Sequence, residues 1–241
     1  RGRRSAPGRN TVAGLDNRGC SEGPASMSSR QKIAIIGAGI AGLACARRLS
    51  DAGLKLVVFD KGRNAGGRTA TRRVTGGIQL DHGAQYFTAR SPEFSSVLGS
   101  MLTYGAAALW DDGSEKPHFV GIPGMDALAR YLGRDLEIHQ STEVVAVRQA
   151  RNGWAIDIGA EKHQFNMVVI TIPAPQIINL LGQSGVFADE LEGVGFDPCL
   201  TLMAALKPLS SHPIVTCADT DDKLACIADD RSQPDRGTEA C

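Results

Sequence analysis

The chain has 241 residues, long enough for one large domain or two modest ones with a sizeable core, and its 26 Lys plus Arg balance 26 Asp plus Glu. That zero formal charge argues against a polyanionic partner such as nucleic acid, and no apolar run is long enough to cross a bilayer, so no membrane partner is expected. Six cysteines (Cys20, Cys45, Cys199, Cys217, Cys226, Cys241) show no Cys-x-x-Cys spacing, which fits a reducing, cytoplasmic setting better than a disulfide scaffold or a zinc site.

Residues 1–26 are rich in Arg, Gly and Ser and carry neither a helical nor a strand period. A disordered N-terminal segment over residues 1–30 is expected, with Met27 as a natural start. Lys32-Ile33-Ala34-Ile35-Ile36 then reads as an apolar strand that runs into Gly37-Ala38-Gly39-Ile40-Ala41-Gly42. A helix follows from about Ala41 to Asp51, capped by Gly53. Cys45, among its apolar neighbours, is expected to be buried and inert. A second apolar strand, Lys55-Leu56-Val57-Val58-Phe59, ends in Asp60, eighteen residues after Gly42.

This is the arrangement of a dinucleotide-binding βαβ unit. Gly37 allows the tight turn, Gly39 lets backbone approach a pyrophosphate, and Gly42 lets helix and strand pack closely. The N–H groups of the helix start face the phosphates, where the helix dipole favours negative charge. The Asp60 carboxylate stands where it can accept hydrogen bonds from a ribose and repel the extra phosphate of NADP.

Further along, Lys61-Gly62-Arg63-Asn64-Ala65-Gly66-Gly67-Arg68 is a glycine-rich basic loop. Residues Ile78 to Phe87 read as a short strand and a second glycine-marked turn. Ser91-Pro92-Glu93-Phe94 opens a helix with Pro at its first position. Asp112-Gly113 lies between apolar arms and predicts a hairpin within residues 105–122. Met125, Leu128, Ala129 and Leu132 recur at helical spacing and stop at Gly133. Strands follow at Leu136–Ile138, from Val144, and from Trp154, the last two joined by Asn152-Gly153 as a type I′ turn. Met167–Ile172 is apolar throughout, as expected of a strand buried on both faces of a parallel sheet, and Pro173 and Pro175 end it.

The expected fold class is α/β: a discontinuous Rossmann-like dinucleotide-binding domain with a β-hairpin insertion, plus a second region; the family resemblance of the segments below implies that these are a FAD/NAD(P)-binding domain and part of an α+β substrate domain. Its division is residues 31–89 and 135–175 for the cofactor domain, 90–134 for the first part of the substrate region, and 176–241 for a partial second.

Three further segments narrow the reading. Asp60-Lys61 leading to Gly66-Gly67-Arg68 resembles the double-glycine loop that follows strand two in the flavin amine oxidase superfamily. Asp81-His82-Gly83-Ala84-Gln85-Tyr86, then Val120-Gly121-Ile122-Pro123-Gly124-Met125, resemble the renalase branch in particular. Val169-Ile170-Thr171-Ile172-Pro173-Ala174-Pro175 is similar to its strand-and-proline segment. The resemblance runs from about Met27 to Arg236 and is strongest over residues 32–90.

The resemblance implies bound FAD. Gly37, Ala38, Gly39, Ile40, Ala41 and Gly42 would meet the pyrophosphate. Asp60, with Lys61 beside it, would meet the adenosine ribose, and Gly67 and Arg68 would offer a backbone donor and a cation to the phosphates. Ala84, Gln85 and Tyr86 match the stretch beside the flavin ring. Val144 matches the position whose backbone addresses adenine, and Pro173 closes the matching strand.

The implied activity is oxidation of a small reduced substrate, a dihydronicotinamide isomer, by hydride transfer to flavin with oxygen as acceptor. Alternatives are a flavin amine oxidase or desaturase of the same superfamily, or an inactive truncated flavin-binding fragment. The last alternative arises because the superfamily's closing strand, glycine turn and helix have no counterpart before Cys241. No catalytic residue is assigned. Asp81 and His82 are neighbours in an extended segment and point to opposite faces. His82 reads as structural or flavin-adjacent, Tyr86 is open between core packing and the flavin pocket, and Trp110 and Trp154 read as core and hairpin aromatics. His118, His139, His163 and His212 show no metal spacing, so no metal is expected.

Overall fold

The structure, a computed structural model, describes residues 32–74, 78–182, 187–205, 217–218 and 226–236. The expectation for residues 1–30 therefore lies outside the described residues. Strand β1 (Lys32–Ile36), helix α1 (Ile40–Asp51) and β2 (Lys55–Phe59) form the first βαβ unit. The helix ends as its sequence predicts: Gly53 takes φ +78°, its N–H donates to the Ser50 carbonyl at 2.8 Å, and the Leu54 N–H reaches Leu49 at 3.1 Å. This double bond pattern satisfies carbonyls that a helix end otherwise leaves bare.

Short β3 (Thr71–Arg73) and β4 (Gln79–Asp81) pair antiparallel. Ser91 caps α2 (Pro92–Tyr104) by accepting the Phe94 N–H at 3.2 Å, and Gly105 in the left-handed region closes it. The predicted hairpin forms from β5 (Ala107–Trp110) and β6 (His118–Gly121), followed by α3 (Asp126–Gly133). Next come β7 (Ile138–His139), β8 (Val144–Ala150), β9 (Gly153–Ile158), β10 (Glu161–Phe165) and β11 (Met167–Ile170). Helices α4 (Ala174–Leu181) and α5 (Ala188–Glu192) follow, and β12 (Cys217–Ala218) pairs with β13 (Cys226–Ile227).

A four-stranded parallel sheet in the order β11-β1-β2-β7 carries the molecule. Alternation along β1 sorts its side chains between two cores. Ile33 and Ile35 pack with Leu43 and Ala46 of α1 and Leu128 and Leu132 of α3. Ala34 and Ile36 face the other way, against Val147 and Ile156 of the antiparallel β10-β9-β8 sheet and Leu180 and Leu181 of α4. The sheet is therefore covered on both faces, which is why β1 and β2 read as continuous apolar runs. The α/β class with a Rossmann-like parallel sheet and a β-hairpin insertion is what the chain adopts.

Three details correct the sequence expectations. β11 is an edge strand among the described residues; Met167 is 40% exposed, and the remaining residues are half-buried rather than enclosed on both faces. Its side chains still divide between the two cores, Val169 packing against one and Val168 and Ile170 against the other. The turn between β8 and β9 is not type I′, because Asn152 does not take positive φ; only Gly153 does, at +131°. Glycine is required there for another reason, since a Cβ would run into the carbonyl of Phe165 on the returning β10. The strand expected at Leu136–Ile138 lies at Ile138–His139, where it extends the parallel sheet beyond β2. Cys45 is half-buried, and that burial pushes its thiol pKa up, in the direction of low reactivity.

Candidate functional site

The turn from β1 into α1 is shaped by what cannot fit there. Gly37 has φ +107°, and a Cβ on it would meet Thr171 Oγ1 at 2.8 Å. A Cβ on Gly42 would strike the Gly37 carbonyl oxygen. Thr171, just beyond β11, holds the turn from the other side, donating its hydroxyl to the carbonyls of Ile36 (3.0 Å) and Gly37 (3.1 Å). Gly39 differs: a Cβ there has no atom within 4 Å. It is the N-cap of α1, makes no side-chain cap, and no acid occupies the first turn. The orphan N–H groups of the helix start therefore face open space, which is the physical requirement for holding a phosphate.

The second glycine loop lies against the first. Gly66 donates to the Ala38 carbonyl at 2.9 Å and bridges Gly39 in parallel, with φ +129° at Gly66 and +54° at Gly67. Asp60, at the end of β2, accepts from the N–H of Ala38 at 2.6 Å and of Gly62 at 2.7 Å. Each carboxylate oxygen keeps a further lone pair for an outside donor. Thr142 donates to the Asp60 carbonyl (2.8 Å) and Ser141 to that of Gly62 (2.9 Å), which sets the start of β8 beside the end of β2.

These elements enclose a cleft of about 910 Å³, in the upper part of the range for small-molecule sites. Of the residues singled out in sequence, Gly37, Gly39, Ile40 and Ala41 line it at the helix start, together with Asp60, Lys61, Gly67, Arg68, Ala84, Val144 and Pro173. Ala38 and Gly42 are buried beneath this wall. Gln85 and Tyr86 lie outside it: the Gln85 amide donates to the Asp81 carbonyl at 2.8 Å, and the Tyr86 ring stacks on His118 with centroids 3.7 Å apart. Glu143, Gln176, Asn179 and Leu180 also line the cleft and were not singled out. The only sequence signal for the last three is their spacing on the helix after Pro173.

Beside the cleft is a junction of buried charge. The Asp81 side chain is 0% exposed and pairs with Arg236 at 2.5 Å; it also accepts from the Thr71 hydroxyl and, at 3.1 Å and 3.2 Å, from the Met125 N–H. Gln233 links Arg236 to the Gln85 carbonyl. Burial pushes the Asp230 carboxyl up to about 6, reinforced by Asp81 and Asp229 and opposed by Arg236. Asp126 at the start of α3 is held by Arg73 and Arg130; burial would raise its pKa, but these cations and Thr71 bring it below the usual range. Asp81 and His82 make no hydrogen bond with each other. Among the described residues, no group of three His, Cys, Asp or Glu is placed to hold a metal, and no helix is long and apolar enough to cross a membrane.

The family described as NAD(P)-binding Rossmann-like domain matches residues 35–101. Renalase of Mus musculus is 27% identical over 240 residues, covering 84% of this chain and 70% of that protein. Protoporphyrinogen oxidase 2 of Arabidopsis thaliana is 34% identical over 73 residues, 30% of this chain and 14% of that one. A solved structure described as a protoporphyrinogen oxidase from Exiguobacterium sp. 255-15 superposes with a TM-score of 0.56 at 14% identity, covering 68% of this chain. The chain spans 64% of that structure's length. Together the relatives and the Rossmann-like fold indicate a FAD-dependent oxidoreductase.

Proposed function

We propose that this chain is a renalase-type oxidoreductase that oxidises a dihydronicotinamide isomer, with FAD as hydride acceptor and oxygen as the final acceptor. The carrying observation is the open space over Gly39, in a cleft that Asp60, Val144, Arg68 and Ala84 also line. Its volume of about 910 Å³ leaves room for a dinucleotide. Mouse renalase, a relative matched over 84% of this chain, supports the same reading.

In this reading the N–H groups at the start of α1 and of Gly67 hold the pyrophosphate, with the Arg68 cation beside it. Asp60 and Lys61 meet the ribose, and Val144 and Pro173 flank the adenosine end. Ala84, Gln85 and Tyr86 border the flavin ring. Residues 31–89 and 135–175 form the cofactor region, and 90–134 and 176–241 contribute the substrate region, with Gln176 and Asn179 at the boundary. Bound flavin supplies the hydride-accepting chemistry, and the protein supplies position and electrostatics. A cytoplasmic setting accords with the thiol of Cys45 remaining free.

Stopped-flow reduction of the purified flavoprotein tests the reaction. Dihydronicotinamide isomers should bleach the flavin rapidly, and air should restore it. Rapid bleaching by amines alone would instead favour an amine oxidase.

A further inference from the structure

Beyond the cleft wall, the β5–β6 hairpin carries a histidine whose surroundings are those of a recognition group. The imidazole Nδ1 of His118 lies 2.8 Å from Asp112 Oδ2, with the two side chains 14% and 8% exposed. Asp112 is itself fixed, its Oδ1 accepting the Ser114 N–H at 3.1 Å. Burial would raise the Asp112 carboxyl, but the hydrogen bonds from His118 and Ser114 outweigh it and leave the group below its ordinary range. A carboxylate on Nδ1 selects the tautomer with the proton there, so the neutral ring presents Nε2 as an acceptor. Among the described residues Nε2 has no protein partner, and it is not sealed from solvent.

The place of this ring matters as much as its chemistry. Tyr86 stacks on it at 3.7 Å and 17°, and remains 39% exposed. Tyr86 stands two residues from Ala84 on the cleft wall, a chain distance of at most about 7 Å. The neighbouring residues lock the two segments together, Phe87 and Phe119 exchanging backbone hydrogen bonds at 2.8 and 2.9 Å.

We propose that His118 is a specificity-determining residue of the substrate site, its Nε2 accepting a hydrogen bond from the amide N–H of a carboxamide-bearing dihydropyridine. Asp112 is the positioning residue that sets the tautomer, and Tyr86 is the ring wall beside it. This rests on the reaction proposed above. A carboxylate in place of the carboxamide offers no donor and meets the Nε2 lone pair unfavourably. The groups facing the imidazole are the Asp112 carboxylate and the Tyr86 phenol ring; Asp111, Glu115 and Lys116 complete the charges of the hairpin loop and are exposed.

The FAD-loaded full chain tests this by two routes. In steady state, the wild type should favour dihydronicotinamides over the matching dihydronicotinates. H118F keeps a ring against Tyr86 but no acceptor; it should raise KM for the carboxamide roughly tenfold with little change in kcat and lose the preference over the carboxylate. H118Q, which restores an acceptor, should recover part of the KM. By NMR of ¹⁵N-histidine protein, nicotinamide should shift the His118 Nε2 resonance and nicotinate should not, and Asp112→Ala should mix the tautomers. An H118F enzyme with wild-type KM and preference overturns the assignment and leaves the reaction standing. A wild type that oxidises no dihydronicotinamide overturns the reaction; the NMR arm then decides the pairing alone, and an unmoved Nε2 resonance overturns it.

Discussion

The cleft floor and the Asp81 junction lie side by side and are built on opposite principles. The floor is backbone: Gly37, Gly42, Gly66 and Gly67 admit close approaches, and Gly39 leaves room for a ligand. The junction is side chain: a fully buried carboxylate holds an arginine 155 positions away, a hydroxyl and a backbone N–H. The first kind of construction tolerates no added atom at Gly37 or Gly42, whereas the second tolerates no lost charge.

Two glycine substitutions break the comparison from the floor side and have the largest expected effects. Gly42→Val forces a side chain into the Gly37 carbonyl and should abolish both folding of the βαβ unit and flavin binding. A Cβ at Gly39 meets no neighbour within 4 Å, so flavin-free Gly39→Val should unfold close to flavin-free wild type while flavin retention is lost. Paired melting curves and flavin content separate the two roles; equal loss of stability in both variants would show that Gly39 is structural.

Arg236→Ala probes the junction. It strands the buried Asp81 carboxylate and should cost about 3–5 kcal/mol in urea unfolding, whereas the double change Asp81→Leu with Arg236→Met should cost far less. Asp60→Ala is smaller and sits between the two designs. Removing one charged acceptor should weaken flavin binding by roughly 1.5–3 kcal/mol, read by titrating the apoprotein, with some loosening of the turn because Ala38 and Gly62 lose a partner.

The smallest effect is on pH. Because burial raises Asp230 to about 6, the folded form binds its proton more tightly than the unfolded chain. Its contribution to stability is fully present below the ordinary carboxylate value near 3.8 and is lost as pH rises through about 6. Asp230→Asn should flatten that part of the stability profile, and an unchanged profile would contradict the assigned burial.

The cleft floor is legible in sequence because each glycine answers a local steric demand within a few residues, and the same holds for the Gly53 cap and the Ser91-Pro92 helix start. The junction is not legible, because Asp81 finds Arg236 only after the chain has folded and nothing local distinguishes either from a surface charge. Strand β10 escapes notice for a related reason: Glu161-Lys162-His163-Gln164 is polar and pairs at the rim of its sheet, so it carries no apolar alternation. Gln176 and Asn179 reach the cleft because α4 packs on β8, a tertiary arrangement without a motif. Asn152-Gly153 shows the converse, a strong local signal whose glycine answers the approach of β10 instead.

The central claim is that the cleft over Gly39 is a FAD site, and the identity of the bound cofactor tests it most directly. The purified protein should be yellow, and denaturation should release a flavin that chromatography identifies as FAD, absent from Gly39→Val prepared alongside. A colourless protein that binds NAD and refuses FAD on reconstitution would contradict it.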